Sequence, residues 1–492
     1  MHPKKAVIIG AGIAGIASAI RLAVKGYNVE VFETNDYPGG KLSEIIVNGY
    51  RFDTGPSLFT MPQYVDELFK LAGKDPRTYF NYQKLDVLCR YFYADGTQIS
   101  AYADTQKFAA EIAAKTTDTA SSVIKFLAHS RDIYTITNHV FLERSLHRLQ
   151  TYLRWDTLRS VFKLPRIDAM RTMHKANSSF FKDSRVVQFF DRYATYNGSN
   201  PYQAPATLNV IPHLEHHFGA YFPDGGMYSI TLALEKLAEE LDVKFYYHTK
   251  VDEVILQQGI VKGIKVKDKV IWSDIVISNM DVWFTYKKLL SGHIKLHPQK
   301  TLNQERSSSA LIFYWGIKKP FPELDLHNIF FSDNYLLEFD HIWKKQTIYH
   351  DPTVYVNISS KLNTTDAPEG CENWFVMINV PADSGQDWDS QIAAARQNVI
   401  SKLSKVLGVN VGSLITTEAV LDPRSIEFKT SSYKGSIYGT SSNSQFAAFL
   451  RHANASSKIK GLYFCGGSVH PGGGIPLCLL SAKIVAEMVT AN

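Results

Sequence analysis

The residues best suited to chemistry in this sequence are glycines, whose use is to bring bare backbone up to a ligand. Gly10-Ala11-Gly12-Ile13-Ala14-Gly15 follows an apolar strand over Lys5 to Ile9 and opens a helix predicted over Gly12 to Lys25. In such a turn the first glycine permits the tight reversal and the second lets backbone approach phosphate. The third lets helix and strand pack closely. Gly10, Gly12, Ala14 and Gly15 are therefore expected against a pyrophosphate, with the helix N-terminus directed at its charge. Glu33 closes the next strand, Asn28 to Glu33. A carboxylate there accepts hydrogen bonds from ribose hydroxyls and disfavours a 2′-phosphate. Strand, helix and acid in this register describe a dinucleotide site.

A second glycine-rich run, Cys465-Gly466-Gly467-Ser468-Val469-His470-Pro471-Gly472-Gly473-Gly474-Ile475-Pro476, leads into a helix predicted from Pro476 to Val489. Gly466, Gly467, Gly474, Ile475 and Pro476 can cover an isoalloxazine ring. The helix N-terminus would place positive potential against a reduced, anionic flavin. Gly39-Gly40-Lys41 offers a further backbone turn and a cation at the flavin end. There is no second G-x-G-x-x-G for a pyridine nucleotide, so the two glycine segments together indicate FAD.

The elements around these motifs suggest more than one domain in 492 residues. The expected fold is α/β. A Rossmann-like FAD-binding domain is discontinuous over residues 1–75, 221–290 and 431–492. An inserted α+β substrate domain occupies 76–220 and 291–430, and includes a helical, membrane-facing region. Leu85 to Tyr93 and Gln98 to Tyr102 read as a hairpin, and residues from about 104 to 220 as mainly helical. A 45% hydrophobic and 20% charged composition is that of an ordinary folded protein. The net charge of +6 comes without zinc spacing or a long basic tail, so no nucleic acid is expected. Cys89, Cys371, Cys465 and Cys478 form no CxxC pair and read as reduced thiols without a metal. Neither a signal peptide nor a membrane-spanning apolar run is found. The expected location is the cytoplasm, with peripheral attachment to a membrane surface.

Several motifs carry a family resemblance. Gly39-Gly40-Lys41, Phe52-Asp53-Thr54-Gly55-Pro56-Ser57, Asp224-Gly225-Gly226-Met227 and His470 to Pro476 resemble those of the bacterial-type phytoene and carotenoid desaturases. These belong to one flavoprotein superfamily with the amine oxidases and protoporphyrinogen oxidases. The resemblance runs nearly end to end and implies FAD contacts by Gly40, Lys41, Leu42, Gly55, Pro56 and Ser57, with Val251 on the adenine side through its backbone. Lys41 stands where much of the superfamily has Arg, which keeps the cation but not the bidentate fork. Arg192 to Pro201, Ala204 to Thr207 and Phe218 to Pro223 look like the hydroxycarotenoid 3,4-desaturase branch.

That resemblance implies removal of two hydrogens from adjacent carbons, a hydride going to flavin and a proton to a modest base. Asp156 and Arg159 share a face of a predicted helix and match an Asp-x-x-Arg pair frequent in the family; they are the expected acid/base pair, with His470 as the alternative. The same two residues also read as a surface ion pair. The carotenoid must come from the bilayer, and Phe141 to Arg171, apolar with interleaved Arg and Lys, reads as a basic amphipathic membrane-surface helix or as a helix packed on the core. A quinone or dioxygen is the implied electron acceptor. The competing readings are a phytoene desaturase, a redox-neutral carotenoid isomerase and a prenyl-binding chaperone resembling the GDP-dissociation inhibitors.

Overall fold

The computed structural model describes residues 3–138, 142–148, 151, 164–444 and 447–489. A five-stranded parallel sheet orders its strands as Lys244–Tyr246, Asn28–Phe32, Lys5–Ile9, Ile275–Ser278 and Leu462–Phe464. Residues far apart in the chain are thus neighbours: Val7 pairs with Val276, and Val276 with Leu462. The central strand is apolar on both faces because both are covered. Ala6 and Ile8 pack under the helices Ile13–Val24, Tyr228–Glu240 and Ile475–Val489. Val7 and Ile9 point oppositely, toward Val254, Val261 and Ile264 of a three-stranded antiparallel sheet. This two-sided burial is what a parallel sheet requires.

A second, seven-stranded sheet runs Ile415–Leu421, Ser309–Ile317, Glu372–Val380, Val354–Asn357, His327–Phe330, Val87–Phe92 and Gln98–Tyr102. Its strands separate two environments by simple alternation. Leu311, Phe313 and Trp315 face the helix Trp388–Leu407 in a dry core. Ala310, Ile312 and Tyr314 turn the other way and line a large cavity. The helices Thr105–Lys115, Ala120–Thr137, Met173–Phe180 and Ser184–Asp191 cover the end of this sheet around the Val87–Tyr102 hairpin.

Sequence expectation and structure agree closely in the nucleotide-binding region. Strands Lys5–Ile9, Glu253–Gln257 and Ile275–Ser278 have the expected bounds, and the first helix differs by one residue at each end. The Phe141–Arg171 helix is corrected in its described parts. Residues 143–148 form bends and a turn, Thr151 is helical, and the described stretch before Asp168, which is in the left-handed region at φ 55°, is a short 3-10 turn, Leu164–Ile167. Tertiary burial explains this: Leu146 is buried, and Ile167 packs on Ile133 and Ile136. The rest of that segment, with Asp156 and Arg159, lies outside the described residues.

Trp315 is fully buried, and its indole Nε1 donates to Glu418 at 2.8 Å. Trp315→Ala is expected to lower stability by about 3–5 kcal/mol, seen as a fall in the thermal transition by circular dichroism. An unchanged transition would contradict the placement of the dry core on that face.

Candidate functional site

The N-terminal loop is built by close backbone approach. Gly10 has φ +95°, and its N–H donates to Phe32 O at 2.8 Å, tying the loop to the adjacent strand. A Cβ at Gly15 would stand 2.2 Å from Gly10 O, so helix and turn can meet only around glycine. Gly39 N–H donates to Ala11 O at 2.8 Å and brings the Gly39-Gly40-Lys41 turn alongside. A Cβ at Gly55 would lie 1.8 Å from Lys41 O, which seats the Gly55-Pro56-Ser57 segment on the same turn.

Glu33 is buried, and its carboxylate already accepts from Ala11 N at 2.8 Å and Asn35 N at 2.9 Å. One bond at each oxygen leaves further acceptor capacity. Thr249 N–H donates to Glu33 O at 2.7 Å, drawing Val251 to the same end. Asn279 joins the two glycine segments, a role for which the sequence offers no motif. Its Oδ1 accepts from Gly15 N at 3.0 Å, and its Nδ2 donates to Cys465 O at 3.3 Å.

All the expected cofactor contacts except Gly15 line one cavity of about 1500 Å³. These are Gly10, Gly12, Ala14, Glu33, Gly40, Lys41, Leu42, Gly55, Pro56, Ser57, Val251, Gly466, Gly467, Gly474, Ile475 and Pro476. Gly15 lies behind the wall as a packing residue. The flavin-end wall also holds two buried cations. Lys41 Nζ donates to Ile437 O at 3.0 Å, and burial pushes its pKa down to about 8. Arg451 donates to the carbonyls of Tyr438, Gly467 and Thr440, and to Asn197 Oδ1. Burial, with Arg306 nearby, lowers its pKa to about 10. Neither forms a salt bridge among the described residues, although Asp281 is near enough to favour the charge of Lys41, and a buried cation with no carboxylate in contact is costly. A ligand carrying a pyrophosphate and a ring that becomes anionic on reduction answers that deficit.

The remaining wall is mostly apolar, with a polar patch that sequence periodicity does not reveal. Arg192 and Glu215 are both buried, 3.7 Å apart, and Tyr193 and Tyr196 donate to the carboxylate at 3.0 and 2.6 Å. On the neighbouring sheet, Ser57 Oγ is 2.7 Å from Tyr355 Oη, which is 2.7 Å from His327 Nδ1. Strand register explains the last contact, because His327 pairs with Asn357 and Tyr355 lies two residues earlier on that strand. His470 also lines the cavity; its Nε2 donates to Arg144 O at 2.7 Å, and burial pushes its pKa down to about 4. It is therefore a neutral ring and a weak base.

The flavin-containing amine oxidoreductase family model matches residues 13–490. The chain belongs to that family. Its cofactor is FAD, which the glycine cradle, Glu33 and the two buried cations without a contacting carboxylate fit. Among relatives, a 1-hydroxycarotenoid 3,4-desaturase from Flavobacterium sp. (strain P99-3) is 50% identical over 486 residues, covering 99% of each chain. A 4,4′-diapolycopene oxygenase from Methylomonas sp. is 33% identical, covering 99% of this chain and 98% of its own. An oxidoreductase structure from Methanosarcina mazei superposes with a TM-score of 0.63 at 16% identity, over 98% of this chain and 100% of that one; it speaks for the fold alone.

This geometry has two measurable consequences. Asn279→Ala removes an acceptor from Gly15 and a donor from Cys465, and should weaken FAD binding by roughly 10-fold, on the order of one buried hydrogen bond, in a titration of the apoprotein. Burial pushes the Lys41 pKa down to about 8, and an anion favours its charged form. FAD binding should therefore take up a proton above that pH, and affinity should decline by up to ~10-fold per unit as pH rises. Lys41→Gln should bind more weakly at neutral pH and lose that slope. A wild-type affinity that stays flat from about pH 7 to 9 would refute a protonated Lys41 as the anion's partner.

Proposed function

We propose that this protein is an FAD-dependent carotenoid desaturase that introduces the C-3,4 double bond, counted from the hydroxylated end, into a hydroxycarotenoid such as 1′-hydroxy-γ-carotene, where it is C-3′,4′. The observation carrying this reading is 50% identity, across 99% of both chains, with an enzyme of that named activity. The cavity supports it: Leu58, Ile167, Ile211, Leu214, Ile329 and Met377 offer a polyene an apolar wall continuous with the cofactor cradle.

Bound FAD supplies the acceptor for a hydride taken from an allylic carbon. The protein's own work is then mainly geometric, because a conjugated chain delocalises the positive charge left on it. Apolar side chains align the polyene and exclude water. Lys41 and Arg451 balance negative charge at the cofactor end. Asp156, with Arg159 as its partner, takes the proton from the neighbouring carbon in this scheme; His470, a neutral ring on the cavity wall, is the alternative acceptor. A quinone or dioxygen completes the cycle by removing the electrons.

The same proposal places the protein in the cytoplasm, on a membrane surface. Among the described residues no helix is long and apolar enough to cross a bilayer. Ile167, Asp168, Ala169 and Met170 line the cavity, and Met170 is 82% exposed, so the end of the basic 141–171 segment reaches both the cavity and the surface. Burial of apolar chain gains little against lipid, so entry directly from the bilayer avoids a passage through water. We further assign residues 1–75, 221–290 and 431–492 to the cofactor domain, and 76–220 and 291–430 to the substrate domain. The pairing of His327–Phe330 with Val87–Phe92 supports that division.

Anaerobic FAD-loaded protein mixed with liposomal 1′-hydroxy-γ-carotene should lose flavin absorbance as the polyene band moves to longer wavelength, whereas phytoene should cause neither change. Reduction by phytoene alone would reassign the enzyme to an earlier step. Asp156→Asn should cut turnover by about 100-fold with normal FAD content, the scale of a lost general base. Full turnover in that variant would remove Asp156 from the mechanism. Exchanging Lys163 and Arg166 for Glu should lower co-sedimentation with anionic vesicles at low salt, and unchanged binding would contradict attachment through this segment.

A further inference from the structure

A pair of opposite charges in the cavity wall has an incomplete geometry. Arg192 and Glu215 are 4% and 2% exposed, and both line the cavity. Arg192 Nη2 stands 3.7 Å from Glu215 Oε1, close enough for attraction but too far for a hydrogen bond. Arg192 Nη1 donates to Tyr196 Oη at 3.0 Å, and that hydroxyl in turn donates to Glu215 Oε2 at 2.6 Å. Tyr193 Oη donates to Oε1 at 3.0 Å. Nε and Nη2 of Arg192 have no hydrogen-bond partner among the described residues. The guanidinium carbon lies 4.4 Å from the ring centroid of Tyr193 and 4.9 Å from that of Tyr196. Such cation–π contacts hold the group in place without using its N–H donors.

Polarity here is set by chemical type, because a guanidinium only donates and a carboxylate only accepts. An oxygen that carries a proton completes both, accepting from Arg192 and donating to Glu215. We propose that the gap between Arg192 and Glu215 is the subsite for the hydroxyl of the substrate's end group, and that the pair selects the alcohol over the corresponding hydrocarbon or ether. This rests on the carotenoid 3,4-desaturase reading. In that reaction one carbon separates the hydroxylated carbon from the bond to be oxidised, so the recognising pair has to lie near the flavin end. Arg192 opens the 3-10 helix Arg192–Asn197, and Asn197 at its other end accepts from Arg451 at 3.3 Å. About two turns of that helix therefore separate the pair from the flavin-end cation. An apolar pocket discriminates weakly against a missing hydroxyl, whereas buried charges left without their oxygen carry the cost of unmade hydrogen bonds. Water is the competing occupant, and it would satisfy both groups whichever polyene is bound.

The test is equilibrium binding to the FAD-loaded enzyme with its flavin reduced, which prevents turnover, read as quenching of tryptophan emission by the polyene. Three ligands are compared: 1′-hydroxy-γ-carotene, 1′,2′-dihydro-γ-carotene with hydrogen in place of the hydroxyl, and the 1′-methyl ether. Wild type should bind the alcohol about 10-fold or more tighter than either analogue, the equivalent of one hydrogen bond to a charged group. Arg192→Met combined with Glu215→Leu replaces the pair by apolar side chains, an exchange that buried ion pairs often tolerate. In that variant, checked for flavin absorbance, the alcohol-to-hydrocarbon ratio should fall to within about 3-fold or invert. A ratio unchanged in the folded variant would overturn the subsite. So would an ether bound as well as the alcohol, because no proton would then be reaching Glu215. A wild type indifferent to the hydroxyl would assign the gap to water and overturn the proposal without any variant having to fold. Failure of the desaturase reading itself is distinct: none of the three polyenes would then bind to the flavin-loaded protein.

Discussion

The N-terminal glycine loop and the glycine run near the C-terminus close on a single intervening side chain with no room for a Cβ on either segment, and the rest of the molecule is organised to hold that junction. Asn279 is its pivot. It stands at the end of the strand Ile275–Ser278, which lies in the sheet between Lys5–Ile9 and Leu462–Phe464. From there one carboxamide reaches Gly15 and Cys465. A Cβ at Gly12 would come within 2.6 Å of its Oδ1, and one at Gly466 within 2.5 Å of its Nδ2. The glycines are therefore required by each other and by Asn279 as well as by the ligand. Parallel pairing of distant segments makes this possible, since adjacent parallel strands deliver their carboxyl ends to the same edge.

That edge is electrically unbalanced. Lys41 and Arg451 are withdrawn from water with carbonyl and amide oxygens as partners and no carboxylate in contact, whereas Arg306 close by is paired with Asp281. The contrast separates a structural cation from those left for a ligand. Carbonyl dipoles hold a guanidinium in place without cancelling its charge, so the positive potential persists into the cavity and favours an electron-rich cofactor. Beyond this end the wall changes to apolar side chains from alternate residues of the seven-stranded sheet. One cavity thus combines an anion-seeking end with a dry polyene-compatible wall.

The motif-bearing half of this arrangement is legible in the amino-acid sequence. Gly10, Gly12, Glu33, Gly55, Gly466 and Gly474 stand out there because their chemistry is local: a turn that excludes Cβ, or an acid at the end of a strand. The bounds of the nucleotide-binding strands follow from uninterrupted apolar runs. The Phe141–Arg171 segment is less readable, because its apolar residues fit a helical period although Leu146 and Ile167 are pulled into separate parts of the core. Local periodicity reports which residues seek burial, but the partner that buries them sets the backbone.

The sequence by itself determined the cofactor, the order of the elements that hold it and the class of chemistry, because each depends on residues close together or on motifs with fixed geometry. Only the tertiary structure decided the identity of Asn279 as the joint, the isolation of Arg451, and the alignment of Ser57, Tyr355, His327 and Asn357 into one hydrogen-bonded chain. Those four residues come from a loop near residue 57 and two strands near residues 327 and 355, and nothing in their local sequence distinguishes them. Their relation depends on sheet register, and register is fixed only when the whole face of each strand finds its burial.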